Sequence, residues 1–339
     1  MKRILLLILA LLLCLSLCAC GDGADNKPTQ PNQSTPDAPA QTTGSVGLEY
    51  AANNNGTYTV VGLGTCADRH VVIPRYHEGA KVTAIGDQAF YGCTTIEEIT
   101  IPDTISSIGT EIFYNCSSLH TVYYNSTYSS RYNHFLSVEN IKKVVFGGTM
   151  IPNNACSNAS NIEEVVILDS VTTIDDHAFC FCHSLTNITI PDSVVRIGTE
   201  AFRGCSGLTS VTIPDSVTHI GAGAFTGCDS LTSVTIPNSV TSIGDHTFFS
   251  CSSLTSITIP DGVTGIGIFA FSGCRGLTSV TIPNSVTSIG KSAFEDCSSL
   301  KDIHFDASKE QWHAIIKQTD WNAGTGSYTV HCTDGNLKK

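Results

Sequence analysis

Cysteine is the residue type whose spacing most strongly suggests chemistry in this chain, which holds 15 cysteines among 339 residues. Cysteines recur every 23 residues at Cys182, Cys205, Cys228, Cys251, Cys274 and Cys297. Such thiols could form disulfides, hold a metal ion or act as nucleophiles. Equivalent side chains of stacked repeats point the same way, with Cβ atoms about 5 Å apart, whereas a disulfide requires about 3.5–4.5 Å. We therefore interpret the series as buried, packed thiols, with bridges within it as the alternative.

A second candidate for chemistry is a cluster of potential metal ligands, namely Asp175, Asp176, His177, Cys180, Cys182 and His183. Its spacing matches no zinc signature. The 23-residue frame points Cys182 inward and places His177 and His183 at variable surface positions, while Cys180 takes an outward position equivalent to Arg203. The chain also lacks nucleophile-elbow, metalloprotease and phosphate-loop motifs. The sequence therefore predicts no catalytic residue, no metal site, no cofactor and no enzymatic activity.

The charge balance argues against nucleic acid as a partner. Only 14% of the residues are charged, and the formal net charge is −12. An acidic chain repels phosphate backbones, and its Lys and Arg residues form no cluster longer than two. We expect no nucleic-acid binding.

The N-terminus has the features of an export signal. Lys2 and Arg3 precede an apolar stretch, Ile4–Leu17, that is short for a membrane-spanning helix. The following Cys18-Ala19-Cys20 resembles a bacterial lipobox, which implies cleavage after residue 19 and lipidation of Cys20; an ordinary cleaved signal peptide is the alternative. Residues 20–45 contain several prolines and almost no large apolar residues, so we expect a disordered tether. These features predict an extracytoplasmic protein, lipid-anchored to a bacterial membrane.

The elements that must position any surface site come from an internal repeat. One unit spans residues 208–230 and reads LTSVTIPDSVTHIGAGAFTGCDS. Its start predicts a short strand that Pro214 ends. A second extended segment at Val217 and Ile220 follows, and then a helical turn around Ala224-Phe225. We expect strands that start at Ile96, Leu119, Ile141, Ile162, Leu185, Leu208, Leu231, Leu254, Leu277 and Leu300, and one more at Val71. Ten stacked coils would form a rod about 50 Å long.

Both ends of such a stack need caps, because a terminal coil otherwise exposes the core. We expect a β cap over residues 46–80, repeats over 81–305 and a second cap over 306–339. In the second cap, the segment SKEQWHAIIKQ predicts a short helix with Trp312, Ile315 and Ile316 on one face.

The repeated LTSVTIPxSVTxIGxxAFxxC units resemble BspA-like leucine-rich repeats. The flanking segments GTYTVVGLGTCADRHVVIP and WNAGTGSYTVHCTDG carry the same resemblance, which covers about residues 46–339. It implies a right-handed solenoid with parallel strands on the concave face and short helical or 3₁₀ turns on the convex side. It also implies a surface protein that adheres to host or neighbouring cells through a protein or glycoprotein ligand.

The outward strand positions are the candidate binding surface, and the two halves of the chain differ there. The C-terminal half repeats Ser and Thr, as in Ser210 and Thr212, which fits a solvated face or, more remotely, a glycan or ice binder. The N-terminal half is mixed, with Thr121, Tyr123, Lys143 and Val145 among its outward positions, and it adjoins an irregular stretch from residue 123 to 135. Tyr and Arg dominate binding hot spots, so we predict ligand contacts at Glu98, Tyr123, Tyr128, Arg131, Tyr132, His134, Lys143 and Glu164. Tyr124, by contrast, should be core.

Two functions fit this reading. The first is an adhesin-like binding module, expected to be a monomer, displayed on a tether. The second is a passive spacer of the cell envelope with no specific ligand.

Overall fold

Each 23-residue unit folds into one coil of a solenoid in the computed structural model, which describes residues 43–128 and 138–339. The N-terminal part contains β1 (Glu49–Ala52), β2 (Tyr58–Gly62), β3 (His70–Val72), β4 (Tyr76–His77) and β5 (Ala80–Ile85). The next repeats contain β6 (Glu98–Ile101), β7 (Ser107–Ile108), β8 (Thr121–Tyr124), β9 (Lys143–Phe146), β10 (Met150–Ile151), β11 (Glu164–Ile167), β12 (Thr173–Ile174), β13 (Asn187–Thr189) and β14 (Arg196–Ile197).

The C-terminal repeats continue the same two-strand pattern. They contain β15 (Ser210–Thr212), β16 (His219–Ile220), β17 (Ser233–Thr235), β18 (Ser256–Thr258), β19 (Gly265–Ile266), β20 (Ser279–Ile282), β21 (Ser288–Ile289) and β22 (Asp302–Phe305). The end of the chain contains α1 (Lys309–Ala314), β23 (Ile316–Lys317), β24 (Thr329–Cys332) and β25 (Gly335–Lys338).

The longer strands stack in parallel into what we call the long-strand ladder. It consists of three hydrogen-bonded groups, β3-β6-β8-β9-β11, β13-β15-β17 and β18-β20-β22-β24. All ten predicted strands are present, but each begins two residues later than predicted, as β6 does at Glu98 rather than Ile96. Strand β3 confirms the one expected at Val71. In β15 the outward Ser210 and Thr212 are exposed and the inward Val211 is buried, as the alternation of a half-buried strand requires.

Two further sides complete each coil. Pro214 lacks an N–H and ends the strand, and its carbonyl accepts a hydrogen bond from Val217 N at 3.0 Å. The second extended segment then forms a short-strand ladder, in which Ile220 of β16 lies beside Ile197 of β14. The stacking buries both inward faces, which no single unit could do alone.

The third side consists of hydrogen-bonded turns where the sequence predicted a helical turn. Cys228 N donates to Phe225 O at 3.2 Å, the three-residue spacing of a 3₁₀ bond, but Phe225 N donates to Thr247 O of the next coil at 2.9 Å. Gly223 and Gly227 have left-handed φ angles of 63° and 69°, which interrupt a continuous helix. The backbone hydrogen bonds of this side therefore alternate between bonds within one coil and bonds to the next coil.

The core is a set of aligned side-chain rows. Phenylalanine rings from Phe179 to Phe294 stack at 5.2–5.5 Å between centroids. Beside them lies a buried cysteine row, which consists of Cys182, Cys205, Cys228, Cys251, Cys274 and Cys297. The Cys228 thiol donates a hydrogen bond to the carbonyl of Phe202 in the preceding coil at 3.2 Å. Cys205, Cys251, Cys274 and Cys297 repeat this bond at 3.1–3.2 Å.

The cysteines of the 23-residue series are buried, as the packing interpretation expected, and the twelve cysteines of the described residues are free thiols. Ala159 occupies the cysteine position of its coil and Cys156 the phenylalanine position, and both are buried. Cys180 departs from the prediction. It takes the position expected to point outward, yet it is only 4% exposed, because the neighbouring coil packs against it. Burial raises the pKa of this thiol to about 11.

Antiparallel strands close the solenoid at both ends. At the N-terminal end β1 pairs with β2, and β4 with β5. At the C-terminal end β24 and β25 form a hairpin. The predicted helix is α1, which begins after a capping box between Ser308 and Gln311. Trp312 and Ile315 are buried, but the prediction for Ile316 is wrong, because the helix ends first and Ile316 lies 68% exposed in β23.

The predicted signal peptide and the lipidation site Cys20 lie outside the described residues. Across 43–128 and 138–339, no helix is both long and apolar enough to cross a membrane.

Candidate functional site

The outward positions of the first five ladder strands carry charged and aromatic residues in register. The first row aligns His70, Glu98, Thr121, Lys143 and Glu164. The second row aligns Val72, Thr100, Tyr123, Val145 and Val166. Because neighbouring strands lie about 4.8 Å apart, residues that are far apart in sequence become adjacent on one face. We define the charged patch as His70, Glu98, Tyr123, Lys143 and Glu164.

Basic and acidic side chains lie next to each other in the charged patch. His70 Nδ1 lies 3.3 Å from a Glu98 carboxylate oxygen, and Lys143 Nζ lies 2.6 Å from a Glu164 oxygen. A parallel row just before the strands repeats the pattern, with Lys142 Nζ 3.2 Å from Glu163. These side chains remain between 31% and 56% exposed in the patch. Their charges are therefore available to a partner, while the pairs themselves contribute little to stability.

Tyr123 is the aromatic centre of the charged patch. Its ring stacks on the His70 imidazole, with centroids 5.2 Å apart and planes 15° apart. The other imidazole nitrogen, Nε2, lies 2.9 Å from Thr100 Oγ1, which fixes the ring. Partial burial first, and the negative charge of Glu98 second, raise the pKa of the Tyr123 phenol. The phenol is hydrogen-bonded to the Glu98 carboxylate within the patch.

The structure brings together half of the residues predicted to contact a ligand. Glu98, Tyr123, Lys143 and Glu164 share the charged patch. Tyr128 is half-buried, and its carbonyl accepts a hydrogen bond from the Tyr124 hydroxyl at 2.8 Å. Tyr124 is itself core, at 1% exposure, as predicted.

Other positions in this half differ from the prediction or escape description. Arg131, Tyr132 and His134 lie outside the described residues. Thr121 and Val145 were expected to be open outward positions, but they are only 4% and 3% exposed. Buried residues therefore lie between the exposed residues of the charged patch. The alternation of inward and outward positions along each strand did not predict this burial.

The C-terminal half of the same face is uniform. Ser and Thr follow one another in register from β15 to β17 and from β18 to β20, as in Ser256 with Ser279 and Thr258 with Thr281. At its far end His331 Nε2 lies 2.7 Å from an Asp302 oxygen and stacks on His304, with centroids 5.0 Å apart. Hydroxyl rows of this kind can bind water or sugars, but they carry no charge or ring.

A cavity that the sequence analysis missed lies beside the charged patch, where the strands β3, β6, β8 and β9 end. This corner cavity has a volume of about 660 Å³. Its walls include Pro74 and Pro102 at equivalent positions of two coils, and Asn125 and Gly147 at the next two. The signal that could have found it is Phe146-Gly147-Gly148, which replaces the repeated Ile-Pro-Asp and removes two side chains from one corner.

The corner cavity has one pair of opposite charges. Arg75 Nη2 lies 2.9 Å from an Asp103 oxygen, and both residues are part of the wall. Arg75 Nε is buried and has no hydrogen-bond partner in the described residues. Thr43 and Gly44 close the end next to β3, where Ser45 N donates to Val72 O at 2.8 Å.

Metal ligands and thiols are the potentially reactive groups of this fold. Across residues 43–128 and 138–339, no group of three or more His, Cys, Asp or Glu residues could hold a metal ion. The thiols of the cysteine row are poor nucleophiles, since burial raises the pKa of Cys205 and of Cys251 to about 12. The charged patch and the corner cavity offer a partner paired charges, an aromatic ring and a cavity with polar and apolar walls.

The comparison with protein families agrees with the repeat fold. A family model described as BspA type leucine rich repeat region matches six copies, over residues 70–186, 149–252 and 172–301. A leucine rich cell surface protein from Faecalibacterium prausnitzii is 27% identical, with 84% of this chain and 99% of that chain covered and a TM-score of 0.41. No curated protein matches the chain.

Two further solved structures are similar to the chain. A leucine-rich repeat protein from Bacteroides ovatus is 25% identical, with 83% of this chain and 98% of that chain covered and a TM-score of 0.28. The pneumococcal vaccine antigen PcpA is 18% identical, with 82% and 88% covered and a TM-score of 0.32.

Proposed function

The chain belongs to the BspA-type leucine-rich repeat family, and from that premise we propose that it is a non-catalytic adhesion protein. It is displayed outside the cytoplasm and holds a protein or glycoprotein of a host or neighbouring cell. The binding surface is the charged patch on the N-terminal half of the long-strand ladder. The solenoid acts as a rigid scaffold that keeps this patch in one geometry.

The observation that supports this site is the convergence of charge and aromatic surface in one place. Tyr123 is backed by His70 and is flanked by the alternating charges of Glu98 and Lys143. A rigid aromatic ring buries a large area at low entropic cost, and it is a typical hot-spot residue. The flanking charges give orientation and raise the association rate more than they raise affinity.

A lipid on Cys20 would attach the protein to the membrane, and the residues up to 45 would serve as its tether. This part of the proposal rests on the order of a basic segment, an apolar segment and a cysteine box in the sequence. In a bacterial host, labelling with a radioactive fatty acid should mark the wild-type chain and not Cys20→Ser. The variant should also leave the membrane fraction. Equal labelling of both chains would contradict the anchor.

The binding site is tested with the full chain in mild detergent against matrix proteins, host-cell glycoproteins and whole bacterial cells. The test variant combines Glu98→Ala, Tyr123→Ala and Lys143→Ala. A matched control combines Ser233→Ala, Ser256→Ala and Ser279→Ala on the same face. We expect saturable binding that weakens at least tenfold in the test variant and persists in the control.

Two results would contradict the proposal. Loss of binding in the control variant, with binding kept in the test variant, would place the site on the hydroxyl rows. No binding to any member of the panel by the folded wild type would favour the alternative function, a passive spacer of the envelope.

A further inference from the structure

We propose that the corner cavity binds a short neutral oligosaccharide, held by the side-chain amide of Asn125 and by the exposed polar atoms of Arg75 and Asp103. The inference deepens the proposed function and rests on it, since the sugar would be part of the glycoprotein that the charged patch holds. The cavity adjoins that patch, because Thr100 belongs to the second row and also lines the cavity.

Asn125 gives the cavity wall a polar side chain at a corner position that is otherwise apolar. In the coils from β3 to β15 this position holds Pro74, Pro102, Asn125, Gly147, Leu168, Pro191 and Pro214. Gly147 leaves room for the amide, because a Cβ at Gly147 would collide with Asn125 Oδ1. The amide has no hydrogen-bond partner among the described residues, so its two N–H donors and its carbonyl acceptor are free for a ligand.

Arg75 and Asp103 add a donor and an acceptor without adding net charge. Their side chains are 41% and 49% exposed, and the bond between them joins Nη2 to Oδ2 at 2.9 Å. Arg75 Nη1 and Asp103 Oδ1 take no part in that bond. These two are the charged residues among those that line the cavity, and each balances the other. A neutral ligand therefore suits the site better than a sulfated or sialylated one.

This mixture of polar groups matches the hydroxyls of a sugar ring. Each hydroxyl both donates and accepts a hydrogen bond, so neighbouring hydroxyls of one ring need donors and acceptors side by side. Arg75, Asp103 and Asn125 supply both kinds from successive coils, which stack about 4.8 Å apart. Val72 and Pro102 supply aliphatic wall for the C–H face of the ring. Further hydroxyls come from Thr43, Thr100, Thr127 and Thr149.

The backbone at this corner offers few groups to a peptide. A peptide that adds to a sheet bonds to free backbone donors and acceptors, but here the donors are used between coils. Asn125 N donates to Ile101 O at 3.0 Å, and Gly147 N donates to Tyr124 O at 3.3 Å. The two prolines of the wall have no N–H. Recognition therefore falls to the side chains, which favours a ligand that bonds through hydroxyls.

The size of the corner cavity fits a short chain of sugar rings. Its volume of about 660 Å³ lies within the range of ligand pockets, about 300–1,000 Å³. It crosses the ends of four strands, or three spacings of about 4.8 Å, which gives a length of about 14 Å. Thr43 closes one end and Thr149 lies at the other, so the cavity is a trough of defined length.

The test applies the full chain, in mild detergent, to an array of neutral, sialylated and sulfated oligosaccharides. Dissociation constants of those that bind are measured by isothermal titration calorimetry. Asn125→Leu replaces the amide with an apolar side chain of similar size, and Thr149→Trp fills the end of the trough. Asn238→Leu, at the exposed corner of a regular coil, is the matched control. Host-cell glycoproteins are tested before and after enzymatic removal of their glycans.

We expect neutral oligosaccharides with a shared unit to bind, at least tenfold more weakly to Asn125→Leu and Thr149→Trp and equally well to Asn238→Leu. An empty array, equal binding by all four proteins, or binding of charged sugars alone would overturn the inference. Glycoprotein binding that survives glycan removal and is lost in both cavity variants would also overturn it and assign a polypeptide. If Asn125→Leu does not fold, Thr149→Trp decides.

The same variants separate this inference from the proposed function. If the array is empty, while cells or glycoproteins bind the wild type and not the charged-patch variant, the cavity proposal fails and the adhesion proposal stands. If oligosaccharides bind the cavity but no cell or glycoprotein binds the chain, the adhesion proposal fails and the oligosaccharide site stands.

Discussion

The coils from β6 to β11 and the coils from β13 to β20 are built on the same core rows, and they diverge at the surface and at one corner. In the later coils the rings of Phe202 and Phe225 stack 5.3 Å apart with planes only 4° apart. In the earlier coils Phe146 meets Phe179 edge-on at 80°, and Cys156 replaces a ring. The regular half repeats hydroxyls outside, whereas the irregular half carries the charged patch and the corner cavity.

This difference shows how a repeat protein can acquire a specific surface without losing its fold. Each coil contacts only its neighbours, so a change in one unit is absorbed locally as long as the inward positions stay apolar. Strict repetition favours regular packing. Departure from it leaves unfilled space, as in the corner cavity, and a buried hydroxyl without a partner in the described residues, as at Thr104.

The largest expected effect tests the ring stack of the regular half. Phe225→Ala should lower the free energy of unfolding by about 3–5 kcal/mol, because the ring is fully buried between two others. Chemical denaturation followed by circular dichroism measures the loss. Tyr114→Ala, which removes a ring that is 52% exposed, should change stability by no more than about 0.5 kcal/mol. Similar losses in both variants would mean that the stack is not the main source of stability.

A second change asks whether the irregular half can be made regular. Cys156→Phe restores the consensus ring, but Phe146 and Phe179 already meet at 5.9 Å across this coil. Overpacking should therefore destabilise the protein by about 1–3 kcal/mol, as read from the denaturation midpoint. A stabilised variant would show that the edge-on contact leaves space for another ring.

Because the thiols of the cysteine row are buried, we expect the folded protein to lose stability at alkaline pH. An unfolded thiol ionises with a pKa near 9, whereas burial raises the pKa of Cys205 and of Cys251 to about 12. The folded thiols stay neutral while the unfolded ones ionise, so stability is complete below pH 9 and falls as the pH rises from 9 toward 12. Each such thiol should contribute up to about 1.4 kcal/mol per pH unit.

The pH dependence is measured as the denaturation midpoint between pH 8 and 11. Cys205→Ala combined with Cys251→Ala should have a lower midpoint at pH 8 and a shallower decline above pH 9. A decline as steep as that of the wild type would show that other groups cause the alkaline loss.

The smallest expected effects come from one repeat position, the residue that follows Ile-Pro-Asp. It is Ser216 in the regular half and Thr104 in the irregular half. Ser216→Ala removes the hydroxyl that donates to Val194 O at 2.7 Å and should cost about 1 kcal/mol. Thr104→Val removes a buried hydroxyl that has no partner in the described chain and should stabilise the protein by about 1 kcal/mol. Thermal unfolding of both variants measures the difference, and effects of the same sign would contradict it.

The amino-acid sequence by itself determined the coil. A 23-residue period of Leu, Ile, Phe and Cys places the same inward residues in every turn, so the presence of the ladder strands, the burial of the cysteine row and the buried ring of Tyr124 could all be predicted. It also indicated Glu98, Tyr123, Lys143 and Glu164 as one candidate site, because equal positions in a repeat become neighbours when the coils stack.

Only the tertiary structure decided what covers each outward position and where space remains. Cys180, Thr121 and Val145 occupy outward positions of the repeat and are nevertheless buried. Ile316 follows a helical pattern, but α1 ends before it. The corner cavity depends on the side chains that Gly147 and Gly148 lack and on the pairing of Arg75 with Asp103 across two coils. The repeat period predicts which residues face the core. Which outward residues are buried, and where cavities remain, depends on contacts between coils of different sequence.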